Sequence, residues 1–122
     1  MVKLPDEFRR KLDQIPLLVE AGDDSSAARI LGTGVTAIES VPFALYCFLR
    51  SPNDFVGVVG RALRAGGDTD TIGAMAGALV GACLGVASIP RAWLEALENG
   101  PKGRAYIEQL ARSLASLEPA QL

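Results

Sequence analysis

The chain contains no histidine, and that one absence removes Ser-His-Asp and Cys-His nucleophile pairs, His-ligated zinc and haem held by a proximal imidazole. Cysteine is nearly as scarce. Cys47 and Cys83 each sit in an apolar run with no second cysteine at short spacing. They fit neither a zinc knuckle nor a redox C-x-x-C, and they read as thiols of a reducing, cytoplasmic chain. Positive charge is not in excess: 12 Lys and Arg face 14 Asp and Glu, with no basic block, so nucleic acid is not an expected partner. Aromatic residues are few, yet 49% of the 122 residues are hydrophobic and 21% charged, too apolar for a disordered chain and enough to build one core. Met1-Val2-Lys3-Leu4-Pro5-Asp6-Glu7 reaches acidic residues before any apolar stretch, unlike a secretory signal. What chemistry is left must use oxygen ligands or the backbone.

No segment alternates with period two for long enough to make a strand, while helical signals recur along the chain. The expected fold is all-α, a helical bundle in a single domain over residues 1–122. Leu4 to Val19 reads as a helix broken at Pro16. A short helix, Ala27 to Leu31, is ended by Gly32-Thr33-Gly34. Pro42 is expected to open a mostly buried helix reaching Arg50. Phe55 to Ala65 follows, capped by Asn53 or Asp54 and stopped by Gly66-Gly67. Lys102 to Leu117 places Tyr106, Ile107, Leu110, Leu114 and Leu117 at helical spacing, an amphipathic cover for the core.

The longest uncharged stretch runs from Thr71 to Pro90, with Gly73, Gly77, Gly81 and Gly85 recurring every four residues. On a helix these form one ridge, which lets a second helix approach backbone to backbone. Ala and Gly dominate the run and Leu, Ile and Val are few, so a buried central helix is expected rather than a membrane span.

Between the helix Phe55 to Ala65 and this one lies Gly66-Gly67-Asp68-Thr69-Asp70-Thr71, two carboxylates and two hydroxyls in four consecutive residues beside two glycines. On a regular helix residues two apart project to different sides. Asp68 and Asp70 therefore converge only if the loop-to-helix junction bends, which paired glycines permit. Converged carboxylates repel unless a proton or a cation sits between them. With hard oxygen donors and no imidazole or thiolate nearby, Mg²⁺ is the natural cation, Ca²⁺ and Mn²⁺ the alternatives, and Thr71 can add a hydroxyl. The competing reading is plain capping, with Asp68 or Thr69 as N-cap of the glycine-striped helix. Asp23 and Asp24, placed before the Ala27 helix, read as caps on the same ground.

Residues 66–82, G-G-D-T-D-T-I-G-A-M-A-G-A-L-V-G-A, resemble the C-terminal signature of the ADP-ribosylglycohydrolase family. Residues 39–50, E-S-V-P-F-A-L-Y-C-F-L-R, are similar to the segment preceding it in the branch acting on serine-linked and polymeric ADP-ribose. Together they cover about Leu31 to Val86. The resemblance implies an all-helical fold and a two-magnesium site that cleaves the N- or O-glycosidic bond of ADP-ribose. It implies Asp68, Asp70 and Thr71 as metal ligands, with Asp70 bridging both ions and the two aspartates catalytic chiefly through the metal. It also sets Gly32, Thr33, Gly34 and Val35 against the adenosine part of the substrate, although a simple helix stop explains Gly32 and Gly34 equally.

The family's other ligands come from a Thr-Asp-Asp segment and an acidic gate residue in its N-terminal half, and neither is present. Gly22-Asp23-Asp24-Ser25 does not substitute, since it lies too close to the C-terminal signature and lacks the threonine. The expectation is thus a truncated or split C-terminal portion of a magnesium-dependent hydrolase acting on ADP-ribosylated protein or other ADP-ribose conjugates. Holding half of the metal ligands, it would need a complementing N-terminal chain or self-association for activity. The alternative is a non-catalytic ADP-ribose-binding or oligomerising descendant of the family.

Overall fold

The structure is a computed structural model that describes residues 3–117. Helix α1 (Asp6–Ala21) opens with Asp6 and Glu7 in its first turn, where the positive helix end favours them, and stops at Gly22 with φ 71°. Pro16 lies inside α1 instead of breaking it; the ring is exposed, so the carbonyl it deprives of a donor can turn to water. Helix α2 (Asp24–Leu31) is capped by Asp23, whose side chain accepts from the backbone N–H groups of Ser25 and Ser26 at 3.1 Å and from the Ser26 hydroxyl at 2.6 Å. These bonds, the Ser26 hydroxyl first, hold the Asp23 carboxyl below its usual range.

Helix α3 (Ala37–Arg50) begins at its cap Thr36, well before the expected start at Pro42. Pro42 is fully buried inside it, so packing of the ring offsets the backbone bond it cannot donate. Helix α4 (Phe55–Arg64) is capped by Asp54, which accepts from Gly57 N at 2.9 Å. Helix α5 (Thr69–Leu84) ends at Gly85, φ 77°, and a 3-10 turn, Val86–Ser88, follows. No strand occurs among the described residues.

Apolar side chains from all five helices close one core, with Leu31, Phe43, Tyr46, Val58, Ile72 and Val80 fully buried. Each such residue contributes about 1.5–3 kcal/mol relative to exposure. The Phe43 and Tyr46 rings stack with centroids 5.7 Å apart. Asp24 reads from sequence as a cap, but it makes a cross-link instead. Its Oδ1 accepts from the Tyr46 hydroxyl at 2.6 Å, and both of its oxygens accept from Arg61 Nε at 3.0 Å. Arg61 also donates to the Cys47 carbonyl at 3.3 Å and to Ser51 Oγ at 2.9 Å, tying α2, α3 and α4 together. Burial, reinforced by the hydrogen bond to the Asp24 carboxylate, pushes the Tyr46 phenol up to about 12. Burial likewise pushes the Cys47 thiol up to about 12.

The glycine ridge works differently from the expected backbone-to-backbone contact. A Cβ added at Gly73, Gly77 or Gly81 would lie 3.5, 3.6 and 3.8 Å from side-chain atoms of Leu63, Val59 and Phe55, ordinary van der Waals distances. The ridge therefore carries apolar side chains of α4, while Gly85 serves as terminator. On the opposite face of α5, an apolar groove of about 390 Å³ runs beside α3, with Val41, Leu45, Met75, Ala78, Leu79 and Ala82 in its walls.

The chain divides into two compact units between Ile89 and Pro90. The second holds α6 (Arg91–Ala96) and α7 (Arg104–Ala115). Arg104 donates to the Leu94 carbonyl at 2.7 Å, and Asn99 Oδ1 accepts from Ala105 N at 2.8 Å. Helix α7, expected to cover a core, buries none of its residues. Among the described residues no helix is long and apolar enough to cross a membrane.

Candidate functional site

Gly66 and Gly67 have φ of 77° and 74°, a left-handed pair that turns the chain out of α4 and into α5. Asp68 then occupies the N-cap position of α5, with φ −81° and ψ 65°, but its carboxylate makes no capping hydrogen bond. The Asp68 carboxyl group lies near enough to Asp70 to influence its titration. Asp68 thus holds the N-cap position without the side-chain capping bond that the capping reading needed. The Asp68 side chain, followed by the Thr71 N–H donating to Asp70 Oδ1 at 3.0 Å, holds Asp70 below the usual carboxylate range. Asp70 and Thr71 are exposed in the first turn of α5, whose partial positive charge favours an anion there.

The second predicted segment lies alongside. Gly32 closes α2 with φ 84° while its N–H bonds the Ala28 carbonyl at 2.9 Å, so it is a helix stop as well as the start of the loop. Lys11 Nζ donates to the Leu31 carbonyl at 2.7 Å and anchors that end of α2. One residue later the Thr33 carbonyl accepts the Asp68 N–H at 2.8 Å. Gly67 packs so closely on Thr33 that a Cβ there would collide with the Thr33 carbonyl oxygen. Residues 32–35 and 66–71 thus form one surface, and the Val35 side chain stands 81% exposed on it.

Glu39 belongs to this surface and was not singled out by the sequence reading. Its carboxylate lies over Gly32 and Gly34, in the space a side chain at either position would take, and Thr36 Oγ1 donates to Glu39 Oε2 at 3.1 Å. Thr36-Ala37-Ile38-Glu39 has the capping-box pattern, and that spacing was the available signal.

Two carboxylates and a neighbouring hydroxyl suit Mg²⁺ in kind, being hard oxygen donors. Among the described residues, however, no group of three or more Asp, Glu, Cys or His side chains could enclose an ion. The donor set fits in chemistry and would supply only part of a coordination shell.

Comparison with known proteins shows the family to which the chain belongs. The ADP-ribosylglycohydrolase family model matches residues 1–121. The chain is 40% identical over 94 residues to ADP-ribosylhydrolase ARH3 of Bos taurus, covering 69% of this chain and 25% of that protein. The Homo sapiens protein of the same name is 39% identical with the same coverage. An uncharacterized protein of Archaeoglobus fulgidus is 39% identical over 95 residues, 78% of this chain and 29% of its own. The chain spans about a quarter of the length of the curated relatives it matches. No solved structure gives a significant match. With nearly every residue matched by the family model and these identities over most of its length, the chain belongs to the ADP-ribosylglycohydrolase family.

Proposed function

We propose that the chain carries the metal-holding C-terminal portion of a magnesium-dependent hydrolase that cleaves the glycosidic bond of ADP-ribose in ADP-ribosylated proteins or related conjugates. The observation that carries this reading is the closeness of the Asp68 carboxyl group to Asp70 beside the Gly32–Val35 loop. The name ADP-ribosylhydrolase borne by the relatives supports it.

Asp68, Asp70 and the Thr71 hydroxyl would hold Mg²⁺, and by the family resemblance Asp70 would be the residue shared between two ions. When bound, the metal supplies Lewis acidity that activates water and steadies the oxocarbenium-like charge of glycoside cleavage. The chain's own carboxylates orient that water, and the loop offers backbone groups and the exposed Val35 side chain to the adenosine end. The two free thiols, one buried and one exposed, fit a cytoplasmic setting.

The incomplete acidic set supports dependence on a second chain that supplies the remaining ligands. The apolar groove between α3 and α5 supports the same reading, since covering it would bury apolar surface. The same incompleteness favours one alternative, an ADP-ribose-binding descendant without turnover. Release of ADP-ribose from a modified peptide decides between them, assayed with magnesium, with and without a complementing N-terminal chain. The proposal expects magnesium-dependent release that disappears in Asp70→Ala. Binding without release in the completed assembly supports the alternative.

A further inference from the structure

We propose that Glu39 is a positioning residue that holds the Gly32–Val35 loop in its ligand-receiving shape and, through Thr33, fixes the backbone of Asp68; this rests on the reading of the site as an ADP-ribose site. In a capping box the Thr36 hydroxyl would accept the Glu39 N–H, and the Glu39 carboxylate would turn back to the Thr36 N–H. Here the first half of the box is replaced: the Thr36 carbonyl accepts the Glu39 N–H at 3.0 Å, and the Thr36 hydroxyl donates to the carboxylate. The carboxylate so held lies across the loop. A Cβ at Gly32 would come within 2.5 Å of Glu39 Oε1, and one at Gly34 would collide with Oε2.

The consequence is a short physical chain between the two halves of the site. Glu39 covers Gly32 and Gly34; Thr33 stands between those glycines, and its carbonyl receives the Asp68 N–H. Movement of the loop away from the carboxylate would withdraw the only acceptor described for that N–H at the start of α5. Gly32 has a positive φ, whereas Gly34 has none and lies against the end of the Glu39 side chain, which a larger residue would displace.

Gly34 therefore gives a test that separates positioning from general stability. ADP-ribose affinity is measured by calorimetry with Mg²⁺ present for wild type, Glu39→Ala, Glu39→Gln, Gly34→Ala and the Gly34→Ala/Glu39→Ala double variant, each with its melting temperature. Glu39→Ala should weaken ADP-ribose roughly tenfold with little change in melting, and Glu39→Gln, which still accepts from Thr36, should recover most of the affinity. Gly34→Ala should weaken binding in the wild-type background and add little further loss in the Glu39→Ala background, the non-additivity expected of contacting residues. Unchanged affinity in Glu39→Ala overturns the proposal, as does a loss in both Glu39 variants that only follows a fall in melting temperature. Wild type that takes up no ADP-ribose overturns the ADP-ribose reading and this one together, whereas wild-type binding with additive Gly34 and Glu39 effects overturns this one alone.

Discussion

The carbonyl oxygen of Thr33 receives the backbone N–H of Asp68 at 2.8 Å, joining the loop after α2 to the first residue of the Asp68–Thr71 segment. Gly67 makes this approach possible, because it has φ 74° and no side chain against Thr33. Gly67→Ala should therefore cost about 2 kcal/mol or more, from left-handed strain together with the collision. Urea unfolding measures the cost. Divalent cation uptake should weaken in the same variant, and a Gly67→Ala protein as stable as wild type would contradict the described contact.

The ridge of α5 predicts the opposite outcome. A Cβ at Gly77 would sit at normal contact distance from Val59 Cγ2, so Gly77→Ala should be tolerated and, through helix propensity, add about 0.5–1 kcal/mol. Gly77→Leu should overfill the α4–α5 contact and cost about 1–3 kcal/mol. Equal destabilisation by both would show a closer backbone approach than the structure contains.

These two glycines show what the sequence could and could not convey. Spacing marked the ridge as one face of a buried helix, since periodicity depends on local geometry alone. Whether its neighbour would offer backbone or side chains depended on how α4 packs, which no local pattern encodes. Pro16 was misread as a break and Pro42 as a helix start for a similar reason: solvent at the first, and close packing at the second, offset the lost backbone bond. The Asp68–Thr71 segment stood out in the sequence because its density of polar side chains beside two glycines is local. Glu39 was hidden because the helix was expected to start only at Pro42, and nothing local indicated that the Glu39 carboxylate would reach the preceding loop. Asp24 was likewise absorbed into a capping role, although its partners Tyr46 and Arg61 lie far along the chain.

That cross-link carries a pH signature. The Tyr46 phenol rises from 10.0 to about 12 and the Cys47 thiol from 9.0 to about 12 on folding. Between those limits the folded state retains protons that the unfolded chain has released. Their stabilising contribution is complete below the unfolded values and is lost as pH rises through about 12. Urea midpoints should fall across this alkaline window. Tyr46→Phe should flatten part of the fall while costing about 1 kcal/mol at neutral pH for the bond to Asp24. In a Tyr106→Phe background, the absorbance of the Tyr46 phenolate should emerge only near pH 12.

The aspartate pair predicts weak but specific cation uptake. Two carboxylates and a hydroxyl leave the other coordination positions to water, and Asp70→Asn should lower Mn²⁺ affinity roughly tenfold or more. Protons compete for the same oxygens, so uptake should fade as pH falls into the carboxylate range. Paramagnetic resonance of free Mn²⁺ reads both effects. Undiminished uptake in Asp70→Asn would place the ion elsewhere.

Asp70 and Thr71 stand in the first turn of α5, the helix that packs against both α3 and α4 and buries Ile72, Ala76 and Val80. Their backbone is thus continuous with the slowest-opening part of the molecule rather than with a loop that breathes on its own. Amide protons of Ile72 and Ala76 should exchange with deuterium only through cooperative unfolding of the first unit, so substitutions that loosen this core should also loosen the placement of Asp70 and Thr71.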